Sequence, residues 1–215
     1  MIIQFEKLKN QQEALRKKLI LKDQFPKIKI VAGCDVSYRK HKNKTWVKAA
    51  LVLLTYPHLR FVESQVIETE TDFPYVPGFL SFREIPALKE CYKLLKKKPD
   101  LLLVDGEGLA HFRGFGLASH LGVVLNMPTI GCAQKRLVGE NDFLKLERGN
   151  FVPLYYKKKV VGRVVCTRDK VKPVFVSVGH KVSLVSATHI VLKCSQKYRI
   201  PEPLRLAYQL SSTHS

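Results

Sequence analysis

A run of five residues, LLLVD at 101–105, most constrains what this chain can fold into. Its four consecutive apolar residues show no alternation, which is typical of a strand that is buried on both faces. Three β-rich runs precede it, and the short polar links between them favour antiparallel hairpins. These runs span 28–39, 46–56 and 61–70.

Helical and extended runs alternate on either side of that strand. A helical stretch is predicted from Leu80 to Lys98, and a second one near 115–125 precedes a short strand at 128–133. This order predicts an α/β fold in which helices flank a mixed β-sheet. No repeat or linker divides the chain, so we expect a single domain over residues 1–215. The other predicted elements are helices at 4–21 and 183–195 and β-runs at 151–156, 159–167 and 173–178.

Basic residues far outnumber acidic ones. The chain has 37 Lys and Arg against 18 Asp and Glu, a formal net charge of +19. A surplus of this size on one small domain predicts a polyanionic partner, most simply nucleic acid. Basic runs such as Lys96–Lys98 and Lys157–Lys159 are each typical of a solvated face, but together they favour non-specific phosphate binding.

The remaining composition excludes other classes of protein. No apolar run approaches the ~18 residues of a membrane span, so we expect no membrane partner. The first residues resemble no signal peptide, and five scattered cysteines are typical of buried thiols in a reducing compartment. We therefore expect a cytoplasmic protein, and since nothing indicates obligate oligomerisation we expect a monomer.

Two acids lie in apolar strands, where an unpaired buried carboxylate is costly. Asp35 lies in VAGCDVSY, and Asp105 ends LLLVD. Each alone could be a capping or ion-paired carboxylate. Two such acids in one short chain favour a shared hard cation such as Mg²⁺, and Asp105 lies where sites form in α/β sheets, at the carboxyl end of a strand.

A glycine-rich segment follows Asp105. Residues 105–122 hold five glycines, two histidines and an arginine, and match neither a Walker loop nor a GxGxxG motif. His111 could contact a phosphate or a water, whereas His120 is expected to pack in the core. Glu107 could simply be solvated. Glu84 is a third candidate acid, although a carboxylate near a helix start is also favoured by the macrodipole.

The segment FPYVPG at 73–78 is predicted to be a stiff loop. Pro74 and Pro77 restrict the backbone on either side of Tyr75, and Gly78 releases the turn. An aromatic residue on such a loop could act as a wedge between stacked bases, or it could cover the core.

Several strings, in order along the chain, resemble the endonuclease V family. The resemblance implies an RNase H-like fold and an endonuclease that uses Mg²⁺, with Mn²⁺ as a substitute, and recognises hypoxanthine, the product of adenine deamination. It further implies a nick at the second phosphodiester bond 3′ of the lesion, leaving a 5′-phosphate and a 3′-hydroxyl. The strings are AGCDVSY (32–38), PYVPGFLSFRE (74–84), DGEGLAHFRGFGLASHLGV (105–123), PTIGCAQKRL (128–137), KPVFVSVGHKVS (172–183) and PEPLRLAY (201–208).

The same resemblance implies roles for individual residues. Asp35 and Asp105 match the metal-binding aspartates, and Glu84 matches the third catalytic acid. Backbone groups beside an extruded base can read hypoxanthine, which explains the glycines. The implied base pocket is Gly78, Leu80, Gly106 and Gly108, and the implied DNA contacts are Tyr75, Pro74, Pro77, His111, Gln134 and Lys135.

Three positions depart from the family pattern. Gln134 stands where the family commonly has a Lys. Tyr208 ends the tail motif where the family often has His or Asp, and Glu107 lies between two glycines where the family often has His or Gln. Gln134 and Tyr208 leave open the alternative of a weakly active or inactive inosine-binding protein. A further alternative is a related RNase H-like nuclease that prefers branched or mismatched substrates or inosine-containing RNA.

Overall fold

The computed structural model describes residues 2–42 and 44–213. Four residues of the predicted domain lie outside the described ones, namely Met1, Asn43, His214 and Ser215.

Thirteen elements follow one another along the described chain. The strands are β1 (Ile30–His41), β2 (Lys44–Thr55), β3 (Phe61–Thr71), β4 (Leu101–Val104), β5 (Thr129–Ala133), β6 (Phe151–Tyr156), β7 (Lys159–Val165) and β8 (Val174–His180). The helices are α1 (Ile2–Arg16), α2 (Leu80–Leu94), α3 (Leu117–Leu125), α4 (Leu184–Cys194) and α5 (Glu202–Ser212).

All eight strands form one mixed sheet in the order β3-β2-β1-β4-β5-β8-β7-β6. β4 pairs in parallel with β1 on one side and with β5 on the other, whereas the other neighbours pair antiparallel. The predicted mixed sheet is therefore confirmed, and LLLV is its doubly covered strand.

Helices cover both faces of the sheet. Ala32 and Cys34 of β1 point into a core formed with α2 and α3, while Val31 points into the opposite core formed with α4 and α5. All five cysteines are buried and free of disulfides, as predicted. Within residues 2–42 and 44–213, no helix has the length and apolarity needed to cross a membrane.

Helix α5 was not predicted. Pro201 is the N-cap and Pro203 lies in the first turn, where a missing N–H has no helical partner to lose. Its buried side is Leu204, Ala207 and Ser211, a helical period that the sequence does contain.

Two predicted helices are shorter in the structure. Helix α1 ends at Arg16 rather than at residue 21. Helix α2 ends at Leu94 rather than at residue 98, because Pro99 disfavours helical backbone just before it and Lys98 Nζ instead binds the carbonyl oxygens of Tyr92 and Leu95.

Helix α5 lies against β1 with almost no space at one point. A Cβ added to Gly33 would lie 2.2 Å from the carbonyl carbon of Pro203, and backbone atoms cannot rotate away. The glycine therefore fixes how closely α5 approaches the strand that carries Asp35.

We expect Gly33→Ala to destabilise the protein by about 1–3 kcal/mol, because it overpacks this contact. Urea unfolding would measure the change in the free energy of unfolding. Gln209→Ala, an exposed change on α5, is the control and should unfold like the wild type. Equal stability of the Gly33→Ala protein would contradict the tight contact.

Candidate active site

The parallel pairing of β1 and β4 places Asp35 and Asp105 side by side. Cys34 pairs with Val104, and the two aspartates are the next residue on each strand. The Asp105 N–H donates to the carbonyl oxygen of Cys34 at 3.1 Å, which fixes this alignment. Because side chains alternate along a strand, the two carboxyl groups leave the sheet toward the same side.

Helix α5 supplies a hydroxyl to the first of these aspartates. Ser211 Oγ donates to Asp35 Oδ2 and also lies 3.1 Å from the carbonyl oxygen of Tyr208. Ser37 Oγ donates to the Ser211 carbonyl oxygen at 2.6 Å, which ties the end of α5 to β1. Burial raises the pKa of Asp35, and the Ser211 hydrogen bond partly opposes that rise. Sequence reasoning missed Ser211 because it missed the helix.

Glu84 reaches the aspartates from the opposite face of the sheet, on α2. The residue is 4% exposed, and burial followed by repulsion from Asp35 and Asp105 raises its pKa to about 8. The Tyr38 hydroxyl donates to Glu84 Oε1 at 2.7 Å, and the Arg83 guanidinium lies 4.4 Å from the centre of the Tyr38 ring. With this pKa, Glu84 holds a proton at neutral pH when no cation is nearby.

Asp105 is also repelled by the charge of Asp35. Burial and the charge of Asp35 raise its pKa to about 6, while the side-chain amide of Gln134 opposes the rise. Repelling carboxylates that face one another are stabilised by a shared cation. Two of them, with water completing the shell, are a donor set that Mg²⁺ accepts. Within the described part of the chain, no three His, Cys, Asp or Glu side chains form a ready-made metal site.

A cavity of about 420 Å³ opens beside the acids. Glu84 and Asp105 line it, whereas Asp35 does not. Among the residues predicted to bind the base or nucleic acid, the structure places the following in its wall: Tyr75, Pro77, Gly78, Leu80, Gly106 and His111.

Gly108 lies behind the cavity wall rather than in it. Its N–H donates to Ser177 Oγ at 2.8 Å, and an added Cβ would lie 2.0 Å from the carbonyl oxygen of Val178. The glycine is needed because the loop crosses β8 at backbone contact distance.

Two titratable groups in the wall have strongly shifted pKa values. Glu107 is half-buried there rather than solvated, and burial with the charge of Asp105 raises its pKa to about 7. Burial and the nearby Arg113 lower the pKa of His111 to about 4, so its ring is neutral. His111 Nδ1 accepts from the Arg113 N–H at 3.3 Å, which leaves the proton on Nε2.

His120, which was predicted to pack in the core, is buried. Its Nδ1 lies 2.9 Å from Ser81 Oγ.

The Tyr75 loop is exposed at its tip and fixed at its base. Tyr75 is 68% exposed. Gln12, buried on α1, donates from Nε2 to the carbonyl oxygens of Phe115 (3.0 Å) and Gly78 (3.3 Å). Arg113 donates to Gln12 Oε1 and to the Gly78 carbonyl oxygen, and its guanidinium lies 4.2 Å from the Phe79 ring centre. No sequence signal separates Gln12 from its polar neighbours.

The other predicted nucleic-acid contacts lie on the surface. Pro74, Gln134 and Lys135 are exposed. The Gln134 carbonyl oxygen accepts from Arg199 at 2.8 Å, which anchors the backbone while its side chain faces Asp105.

We expect Ser211→Ala to weaken Mg²⁺ binding by about 10- to 100-fold, the usual effect of losing a group that orients a metal ligand. Without the hydroxyl, the pKa of Asp35 rises further, and fewer molecules carry the ionised carboxylate. Isothermal titration with Mg²⁺ at neutral pH would measure the change. Ser212→Ala, the neighbouring serine, is the control; identical affinities for the two variants would contradict the role of Ser211.

The chain is similar to known proteins over most of its length. The family model for endonuclease V matches residues 13–209. The endonuclease V of Rippkaea orientalis is 47% identical over 207 residues, covering 96% of this chain and 90% of that protein. The Dictyoglomus turgidum protein is 46% identical, covering 96% and 89%.

Solved structures show the same similarity. The endonuclease V of Streptomyces avermitilis has a TM-score of 0.91 at 41% identity, covering 96% of this chain and 90% of that one. The Ciona intestinalis endonuclease V, bound to a 24mer DNA containing an inosine followed by a ribo-adenosine, has a TM-score of 0.85 at 34% identity, covering 97% and 96%. With its fold and most of its length matched, the chain belongs to the endonuclease V family and is a hydrolase of the endonuclease class.

Proposed function

We propose that the protein is a Mg²⁺-dependent DNA-repair endonuclease that recognises hypoxanthine and nicks the strand at the second phosphodiester bond on its 3′ side. The observation that carries this proposal is the meeting of Asp35, Glu84 and Asp105 beside a base-sized cavity. The inosine-containing DNA bound by the Ciona protein supports the choice of lesion.

Asp35 and Asp105 would hold the cation, with Mn²⁺ as a substitute for Mg²⁺. The cation would supply Lewis-acid stabilisation of the phosphate and a more acidic water. Ser211 orients Asp35. Glu84 is protonated near neutral pH in the metal-free protein, but the charge of a bound cation would lower its pKa, and the ionised carboxylate would then take the proton of the attacking water. Attack on phosphorus would then break the bond between phosphorus and O3′. The leaving O3′ takes a proton from solvent water, which gives a 5′-phosphate and a 3′-hydroxyl.

The cavity would receive the extruded base. Gly78, Leu80 and Gly106 bring backbone groups close to its edge, and neutral His111 can donate from Nε2. Tyr75, exposed on a loop with a fixed base, would fill the gap that the base leaves in the stack. The buried free thiols support work in a reducing cytoplasm, and we propose that the protein acts there as a monomer.

We expect a labelled duplex with one hypoxanthine to be nicked in the presence of Mg²⁺ and to stay intact with a chelator. Asp105→Asn should lower the cleavage rate by more than about 100-fold, since it removes the negative charge of a proposed metal ligand and leaves only a neutral amide oxygen. Asp142→Asn, an exposed acid outside the cavity, is the control.

Undamaged DNA and hypoxanthine-containing RNA belong in the same experiment. Faster cleavage of the RNA would show that inosine-containing RNA, and not DNA, is the preferred substrate. Selective binding of hypoxanthine-containing DNA without any nick would favour the inosine-binding alternative. A nick elsewhere than the second 3′ bond would contradict the proposed cleavage position.

We expect Gln12→Ala to lower the preference for hypoxanthine-containing over undamaged duplex by on the order of 10-fold or more, because the base of the Tyr75 loop is released. The ratio of the two single-turnover cleavage rates measures this preference. Gln11→Ala changes the exposed neighbour and should keep the ratio. If Mg²⁺ affinity falls instead of the ratio, Gln12 supports the acids rather than the loop.

A further inference from the structure

A second cavity, of about 340 Å³, lies next to the base cavity and shares His111 and Phe112 with it. It is formed where α1, the 109–114 segment and the β6–β7 hairpin meet. None of Asp35, Glu84 and Asp105 lines it. We call this second cavity the basic cleft; its charged lining residues are Glu13, Arg16, Arg113, Lys157 and Lys159.

Three basic side chains of the basic cleft form no salt bridge with another described residue. Arg113 is occupied by Gln12 and the Gly78 carbonyl oxygen, and the Glu13 carboxylate interacts with its charge. Within the described chain, Arg16, Lys157 and Lys159 form no salt bridge. The cleft therefore keeps a surplus of positive charge beside the base cavity.

The absence of a side chain at Gly114 lets the Arg16 guanidinium lie close to the cleft wall. Gly114 has φ +63°, and a Cβ added there would lie 3.2 Å from Arg16 Nε and Nη2. The guanidinium thus lies over backbone that carries no side chain, and although Arg16 is exposed to solvent it forms part of the cavity lining.

The hairpin that supplies the two lysines has an unfavourable turn. Lys157 (φ +50°) and Lys158 (φ +61°) both adopt left-handed backbone in the two-residue connection between Tyr156 and Lys159, which pair with each other. Such type I′ turns favour Asn-Gly, because a Cβ is strained at positive φ. The Lys157 ammonium lies 5.2 Å from the Tyr156 ring centre, and Tyr156 itself lines the cleft.

Of the two strained lysines, only Lys157 lines the cleft; a lysine at a position that stability would give to Asn indicates a use for its charge. We propose that the basic cleft binds a backbone phosphate of the strand that carries the hypoxanthine, other than the phosphate that is cut. This inference rests on the proposed function. The cut phosphate must lie by the acids, and two of these, Glu84 and Asp105, line the other cavity. A phosphate in the basic cleft therefore lies on the far side of the His111–Phe112 wall.

The test compares Lys157→Gln/Lys159→Gln with the wild type. Dissociation constants would be measured for single-stranded and duplex DNA, each with one hypoxanthine, over a series of salt concentrations without Mg²⁺. We expect affinity to fall about threefold to tenfold for both DNAs. The slope of log affinity against log salt should shrink by about 1 for each phosphate that the variant no longer binds.

The control is Lys96→Gln/Lys97→Gln. These two exposed lysines precede β4, whose opposite end carries Asp105, and neither lines the cleft. The same fall in affinity and slope in both double variants would overturn the proposal, since any surface cation would then serve. A fall confined to the duplex would overturn the assignment to the lesion strand and transfer the contact to its complement.

A second variant separates binding from folding. Lys157→Asn/Lys158→Gly installs the favoured turn, so we expect an equal or higher melting temperature together with weaker DNA binding and a smaller salt slope. Wild-type affinity and slope in this variant and in Lys157→Gln/Lys159→Gln would overturn the proposal. Because binding is measured without cleavage, absence of a hypoxanthine-dependent nick would refute the proposed function while leaving the cleft's salt slope to be decided separately.

Discussion

The rest of the molecule depends on one constraint, the electrostatic repulsion among Asp35, Glu84 and Asp105. These carboxyl groups are partly or fully buried, so water screens their charges only in part. Each of these groups has a raised pKa, and burial is the largest cause in every case. Since the folded state holds their protons more tightly than the unfolded state, the metal-free protein loses stability as pH rises through about 6 to 8. A bound cation reverses that loss, because a cation that binds only the folded protein stabilises the folded state through its free energy of binding.

The fold both creates this repulsion and limits it. In-register pairing of β1 with β4 brings two of the acids together, and α2 brings the third from the other face. Hydroxyl donors from Ser211 and Tyr38 then stabilise the ionised forms without adding charge. Gly33 sets the depth of α5 and, through it, the reach of Ser211.

The sequence predicted the parts of this site that depend on local pattern. LLLVD indicated a doubly covered strand, and acids in apolar strands indicated Asp35 and Asp105. Contacts between distant segments carry no such pattern. Gln12 meets Phe115 from 103 positions away, and its burial cannot be read from a polar helix. The terminal helix is not among the predicted elements, although its period is present and its prolines lie where a helix can begin.

Not all of the +19 charge faces a partner, since Arg113, Arg199 and Lys98 bind carbonyl oxygens of the protein itself.

The Asp35–Ser211 hydrogen bond joins an early and a late part of the chain, so it can form only late in synthesis. The two residues are 176 positions apart, so a ribosome exposes Asp35 long before Ser211 is translated. Until α5 docks, Asp35 lacks the hydroxyl that donates to it in the folded protein. The contact that orients this carboxylate therefore forms only after the last helix of the described chain has been synthesised.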